Sequence, residues 1–294
     1  VQTCALPISW NSLYMKKVSI NDIRKLKGSG QPFATVTAYD YTSARIVDNA
    51  GIPLILVGDS AAMVVLGYDT TLPVTMDEML MLTAAVCRGT KRALVIADLP
   101  FMSYQASISD ALHSAGKFIK KAGASGVKLE GGKRVCPQIR SLVDHGIPVM
   151  GHIGLTPQSY HQFSGYTIQG KTVEAARQLL THAIEVAEAG AFALVLEGIP
   201  AEVAKLISEK ITIPTIGIGA GPHCDGQIQV FHDILGLFGD FVPKHTKRFV
   251  NLTDQISTAI KSFINDVQSN DFPAKEHSAH VKPSVISEIL LEKE

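Results

Sequence analysis

Five apolar runs in this 294-residue chain each end on an ionisable residue. They are Leu54-Ile55-Leu56-Val57-Gly58-Asp59, Leu94-Val95-Ile96-Ala97-Asp98, Gly126-Val127-Lys128-Leu129-Glu130, Pro148-Val149-Met150-Gly151-His152 and Phe192-Ala193-Leu194-Val195-Leu196-Glu197. A charge that closes an apolar strand is costly when buried without a partner, so five such runs are not a packing solution. They point to a reaction centre built from strand ends.

With the fainter runs included, strands are expected at 33–38, 54–58, 94–98, 126–130, 148–152, 192–197, 214–218 and 238–242. Helical spacing occupies 41–50, 75–87, 107–122, 173–189, 201–210 and 225–235, and a short helical segment, 18–27, precedes the first strand. Eight short apolar strands alternating with helices imply a parallel sheet covered on both faces, closed as a (β/α)₈ TIM barrel. The competing doubly wound sheet usually opens on a G-x-G-x-x-G turn after its first strand. Here the nearest match, Gly217-Ile218-Gly219-Ala220-Gly221, follows the seventh strand with the wrong spacing. In a barrel of this kind active sites form at the carboxyl ends of the strands, where Asp59, Asp98, Glu130, His152 and Glu197 fall.

The expected organisation is a single barrel domain over residues 18–270. Residues 1–17 read as a disordered or artefactual extension, whose first nine lack the charged start and apolar core of a signal peptide. Residues 271–294 read as a tail in which Val285, Ile286, Ile289 and Leu290 form one side of a short amphipathic helix. That helix needs a partner surface, and a neighbouring subunit is the expected one.

Composition narrows the function class. With 46% hydrophobic and 18% charged residues the chain can fill a sizeable core. Lys plus Arg equals Asp plus Glu at 27 each, so no net field recruits nucleic acid or an anionic membrane. No apolar run approaches the roughly 20 residues that span a bilayer. Four scattered cysteines without a C-x-x-C pair suit reduced thiols in the cytoplasm.

Residues two apart on a strand share a face, so Lys128 and Glu130 both point into the barrel mouth. A structural ion pair at the rim is the plain alternative. Asp59, Asp98 and Glu130 are hard oxygen donors without a His or Cys cluster beside them, a set that suits Mg²⁺, or Mn²⁺, better than zinc. Asp59, Asp98, Ser60 and Glu197 could each instead cap a following helix, and His152 could be a hydrogen-bonded core histidine. Gly217 to Gly221 is either a backbone approach to a ligand or a tight turn. His223, Cys224, Asp225, His232 and Asp233 read as solvent-facing or pocket residues.

Six segments carry a family resemblance: Val57-Gly58-Asp59-Ser60, Thr70-Thr71-Leu72-Pro73-Val74-Thr75, Ala97-Asp98-Leu99-Pro100-Phe101, Val127-Lys128-Leu129-Glu130-Gly131-Gly132, Gly151-His152-Ile153-Gly154-Leu155-Thr156-Pro157-Gln158 and Ile216-Gly217-Ile218-Gly219-Ala220-Gly221. In this order they resemble the signature blocks of ketopantoate hydroxymethyltransferases, and the similarity runs from about Val18 to the region of Ser278. The resemblance implies a barrel of the phosphoenolpyruvate/pyruvate type, a homodecamer, and the first committed step of pantothenate synthesis. In that step a hydroxymethyl group passes from 5,10-methylenetetrahydrofolate to 3-methyl-2-oxobutanoate through a Mg-stabilised enolate, giving 2-dehydropantoate. By resemblance Asp59, Asp98 and Glu130 hold one Mg²⁺ per subunit, and Asp59, Ser60, Asp98 and Lys128 contact the 2-oxo acid. Glu197 matches the proposed base and His152 an active-site histidine that contacts substrate. The same barrel type hosts carbon–carbon lyases, which typically add a loop cysteine that has no counterpart here. A non-catalytic barrel is expected to have lost one of Asp59, Asp98, Lys128, Glu130 or Glu197, and all five are present.

Overall fold

The computed structural model describes residues 16–239 and 243–291, so most of the extension expected over residues 1–17 lies outside the described residues. Eight parallel strands close into one barrel in chain order. They are β1 (Phe33–Thr37), β2 (Leu54–Val57), β3 (Leu94–Asp98), β4 (Gly126–Glu130), β5 (Val149–Gly154), β6 (Ala193–Glu197), β7 (Thr215–Ile218) and β8 (Gly226–Gln229).

Seven strands lie where the apolar runs place them, and the eighth does not. Residues 240–242 of the strand expected at 238–242 lie outside the described residues; the strand that closes the barrel is β8, inside the stretch 225–235 that reads as helical, and only Phe231–Leu235 of that stretch is helix. Gly-Gln-Ile-Gln has a single apolar side chain, so β8 gives almost no pattern of its own. Its partners define it: β8 pairs with β1 over Phe33↔Gly226 to Val36↔Gln229 and with β7 at Ile216↔Gly226. Gly226 is required there, because a Cβ would stand 2.7 Å from the Phe33 ring.

Strand alternation separates two cores. Leu54, Leu56, Leu94, Ile96, Met150, Val195, Ile216 and Ile228 fill the barrel, whereas Ile55, Val57, Val95, Val127, Leu129, Leu194 and Leu196 pack outward under the helices. Each such side chain stabilises the fold by roughly 1.5–3 kcal/mol. The helix Ile20–Arg24 belongs to the inner core. Ser19 and Asp22 form its capping box, and its fully buried Ile23 joins the barrel interior with Val18 and Ile20 alongside. At the amino end of the barrel, Asp225 accepts hydrogen bonds from the backbone N–H groups of Gly28 and Thr215 and pairs with Lys27 at 3.0 Å. Cys224 and Asp233 are buried, and the His232 ring lies tilted against Tyr39 with centroids 5.4 Å apart. Of the group read as solvent-facing or pocket residues, His223 is exposed, whereas Cys224 and Asp233 are carried inside as β8 closes against β1.

Helices Tyr41–Asn49, Met76–Gly89, Ile108–Lys117, Cys136–Asp144, Val173–Glu188 and Ala201–Lys210 cover the strands. Among the described residues, no helix is long and apolar enough to cross a membrane. Two further helices, Leu252–Gln268 and Pro283–Leu291, have no buried residue. The first leaves Ile256, Ile260, Phe263, Ile264 and Val267 exposed, and the second Val285, Ile286, Ile289 and Leu290.

Candidate active site

At the carboxyl end of the barrel the strand termini bring the ionisable residues together. Asp98, Lys128, Glu130 and His152 follow inward-facing apolar positions on β3, β4 and β5, and Asp59 begins the turn after β2. All five are at most 4% exposed. Lys128 Nζ lies 2.9 Å from Asp98 Oδ1, 3.6 Å from Glu130 Oε1 and 3.0 Å from His152 Nδ1. On the far side of the imidazole, Nε2 is 3.3 Å from Glu197 Oε2 at the end of β6. Glu197 stands apart from the acid cluster, with the ring between them.

The capping alternatives do not describe these side chains. Asp98 Oδ2 accepts from the backbone N–H of Asp59, 39 residues away in the chain, at 3.1 Å. Ser60 precedes the short helix Ala61–Val64 but makes no side-chain cap; its hydroxyl meets Tyr39 Oη at 2.8 Å. Pro200, not Glu197, takes the cap position of Ala201–Lys210. In the Gly217–Gly221 turn, Gly219 and Gly221 have φ of +62° and +75°, and a Cβ on Gly221 would meet Ala201 at 2.3 Å, so the tight-turn reading accounts for these two glycines.

Burial and mutual repulsion set the charges. Burial first, then the charges of Asp98 and Glu130, hold the Asp59 carboxyl well above the usual range. Burial likewise raises Asp98, against the pull of Lys128. For Glu130 burial is outweighed by the charge of Lys128, helped by the backbone N–H of Gln158, so its pKa falls below the ordinary value. Burial also works against charged Lys128, but Asp98, Glu130 and Asp59 more than offset it and keep the ammonium protonated. Burial and Lys128 oppose a charge on His152, but Glu130 and Glu197 outweigh them and raise its pKa to about 9. An ammonium has no lone pair to offer, so its 3.0 Å contact makes Nδ1 an acceptor. With Nδ1 occupied in this way, Nε2 carries a proton and faces Glu197.

Sequence reasoning missed Gln158 and Tyr104. Gln158 lies in the Pro157–Ser159 turn after β5 and touches both Asp59 and Glu130. Tyr104 is fully buried, and its hydroxyl meets Gln158 Oε1 at 2.8 Å and the Glu130 backbone. The one available signal for Gln158 was its place in the block that begins with Gly151-His152; Tyr104 lies in a loop with no periodicity to expose it.

The donor set suits a divalent cation. Asp98 Oδ1 and Glu130 Oε1 are buried acceptors whose one cationic partner among the described residues is Lys128, so a single ammonium faces the carboxylates of Asp98, Glu130 and Asp59. Among the described residues, no three His, Cys, Asp or Glu side chains already converge as a ready-made ion site. Lys128 lies between Asp98 and Glu130, in the position where a cation relieves their repulsion. Beside the rim a cavity of about 500 Å³ is lined by Gly131, Arg134, Gly154, Phe163, Gln169 and His182 among others.

The family model described as ketopantoate hydroxymethyltransferase matches residues 17–275. The chain belongs to this family. Among its relatives, the 3-methyl-2-oxobutanoate hydroxymethyltransferase of Carboxydothermus hydrogenoformans is 50% identical over 275 residues, covering 94% of this chain and all of that one. The protein of the same name from Chloroflexus aggregans is 53% identical over 274 residues, covering 93% and 98%. As a ketopantoate hydroxymethyltransferase family member the chain is an enzyme, and its barrel resembles solved structures of distant proteins. Phosphonopyruvate hydrolase superposes with a TM-score of 0.59 at 12% identity, over 95% of this chain and 96% of that one. A 2,3-dimethylmalate lyase, described as a member of the PEP mutase/isocitrate lyase superfamily, gives 0.55 at 17% identity, over 93% and 95%. The family's signature blocks therefore sit on a barrel shared with mutases, hydrolases and lyases.

Proposed function

We propose that this enzyme transfers a hydroxymethyl group from 5,10-methylenetetrahydrofolate to 3-methyl-2-oxobutanoate, forming 2-dehydropantoate in the first committed step of pantothenate synthesis. The observation that carries the reading is the separation of Glu197 from the acid–lysine cluster by His152. A carboxylate used to remove a proton is kept apart from the carboxylates that manage charge, within a family whose relatives bear that reaction's name.

Asp59, Asp98 and Glu130 would hold one Mg²⁺, or Mn²⁺. When bound, the ion supplies a Lewis acid for the 2-oxo acid's oxygens. Lys128 places a second positive charge beside Asp98 and Glu130, where charge builds as the substrate loses its proton. Ser60, with its hydroxyl on Tyr39 rather than on its own helix, is free to contact the substrate carboxylate. Glu197 removes the proton from the branched carbon. His152 Nε2 stands 3.3 Å from Glu197 Oε2, close enough to hold the carboxylate by charge while its second oxygen takes that proton. The enolate carbon then bonds to the one-carbon unit, tetrahydrofolate departs, and one water supplies the hydroxyl oxygen. The carrier is much larger than the 2-oxo acid and has the rim cavity beside the mouth available to it.

The same reading places the enzyme in the cytoplasm as a homo-oligomer, a homodecamer by family resemblance. The uncovered apolar side chains of Leu252–Gln268 and Pro283–Leu291 support association. NMR of 3-methyl-2-oxobutanoate in D₂O, with protein and Mg²⁺, tests the chemistry. Deuterium should enter the branched carbon, and 2-dehydropantoate should form only when tetrahydrofolate and formaldehyde are added. A folded, metal-supplied protein that gives neither result overturns the proposal.

A further inference from the structure

Each of the three acids at the mouth gives one oxygen to a protein N–H group. Asp98 Oδ2 accepts from the Asp59 backbone at 3.1 Å, Asp59 Oδ2 from the Gln158 side chain at 3.0 Å, and Glu130 Oε2 from the Gln158 backbone at 2.9 Å. Two of these three anchors come from one residue. Gln158 thus spans from the end of β2 to the end of β4, across the intervening β3.

Its own orientation is fully determined. Nε2 donates to Asp59 and to the Leu99 carbonyl at 2.9 Å, while Oε1 accepts from Tyr104 Oη at 2.8 Å and from Gln105 Nε2 at 2.9 Å. Turning the amide over would set Oε1 against two acceptors and the NH₂ group against the Gln105 amide donor, so the network admits one orientation. Gln158 is 6% exposed, and every hydrogen-bonding position of its side chain is used. A buried amide with four partners and two acids in its grip is a rigid spacer.

We propose that Gln158, anchored by Tyr104, is the positioning residue that fixes Asp59 and Glu130 as one-oxygen ligands, and so sets the affinity of the mouth for its divalent cation. The proposal rests on the metal-binding role given above to Asp59, Asp98 and Glu130. With Oδ2 and Oε2 spent on Gln158, Asp59 keeps Oδ1 and Glu130 keeps Oε1 for the ion. Without Gln158, Asp59 loses its one side-chain hydrogen bond, and only the charge of Lys128 opposes its swing away from two like charges.

The test is Mn²⁺ binding, followed by electron paramagnetic resonance in the absence of substrates, on wild type, Gln158→Met and Tyr104→Phe. Methionine keeps the length and the backbone donor to Glu130 but removes the side-chain donor to Asp59. The expected result for Gln158→Met is a loss of at least about tenfold in Mn²⁺ affinity, equivalent to ~1.4 kcal/mol. Tyr104→Phe, which loses only the hydroxyl, should show a smaller loss in the same direction. It also serves as the readout if Gln158→Met does not fold. In the D₂O exchange assay, high Mn²⁺ should restore the exchange rate of either variant, which a purely structural defect would not allow. Folded variants that bind Mn²⁺ within twofold of wild type overturn the proposal alone. A wild-type protein that binds no Mn²⁺ overturns the metal reading, and the proposal with it.

Discussion

Lys128 is the one ammonium facing Asp98 and Glu130, and replacing it with methionine isolates the consequence of gathering carboxylates at the strand ends. Methionine keeps the volume, so the change is one of charge. At an effective dielectric of about 20, the contacts at 2.9 Å and 3.6 Å are worth roughly 6 and 5 kcal/mol before desolvation. Removing the ammonium also removes its burial cost of several kcal/mol, so the expected net loss for an acid cluster stripped of its partner is about 3–5 kcal/mol. In a domain of this size that lowers the melting temperature by about 10 °C. The pH dependence has a definite sign. Asp59 and Asp98 are already raised by burial, and without Lys128 they rise further. A raised carboxyl contributes stability that is present at low pH and lost as pH climbs through its folded-state pKa. The deficit of Lys128→Met against wild type should therefore shrink between about pH 8 and about pH 5, and a saturating divalent cation at ~100 times its Kd should recover about 2.7 kcal/mol at pH 8. Urea unfolding across this pH range, with and without Mg²⁺, measures all three quantities. A variant as stable as wild type at pH 8, or one whose deficit grows on acidification, would refute the charge argument.

Four other changes separate the roles of the remaining parts. Glu197→Gln should slow deuterium exchange into 3-methyl-2-oxobutanoate by roughly 10²–10⁴-fold with Mn²⁺ binding unchanged, whereas Asp98→Asn should weaken Mn²⁺ binding itself; equal binding losses in both would undo that division. Asp225→Ala removes the acceptor that ties Gly28, Thr215 and Lys27 together beneath the barrel and should cost about 2–4 kcal/mol at neutral pH, measured by urea unfolding. Burial pushes the Asp225 carboxyl up, but hydrogen bonds from Gly28, Thr215 and Lys27 outweigh it and hold its pKa below the ordinary value. Its stabilisation is thus present above about pH 4 and disappears as pH falls through the folded-state pKa, so the gap between wild type and variant should close in acid. Truncation after Ser278 removes the exposed helix Pro283–Leu291 and should lower the sedimentation coefficient by loosening subunit association; unchanged assembly would assign that helix another partner.

The barrel was legible because most of its strands declare themselves twice, by an apolar run and by the charge that ends it. Leu94 to Asp98 shows how. Its alternation sends Leu94 and Ile96 into the barrel core and forces Asp98, two residues further on, to face the same interior at the mouth. The closing strand has neither mark. Gly226–Gln229 is a strand because β1 and β7 offer two open edges and Gly226 fits against Phe33, and β1 with Phe33 lies some 190 residues away in the chain. The candidate site divides along the same line. Charged residues at strand ends were readable one run at a time, but the groups that hold them come from loops, where no periodicity marks a position. Gln158 and Tyr104 are uncharged, and their importance lies wholly in which oxygen each one meets. Reading the chain therefore supplies the charges of this centre, whereas the hydrogen bonds that hold Asp59 and Glu130 in place come from neutral side chains that only the closed barrel brings within reach.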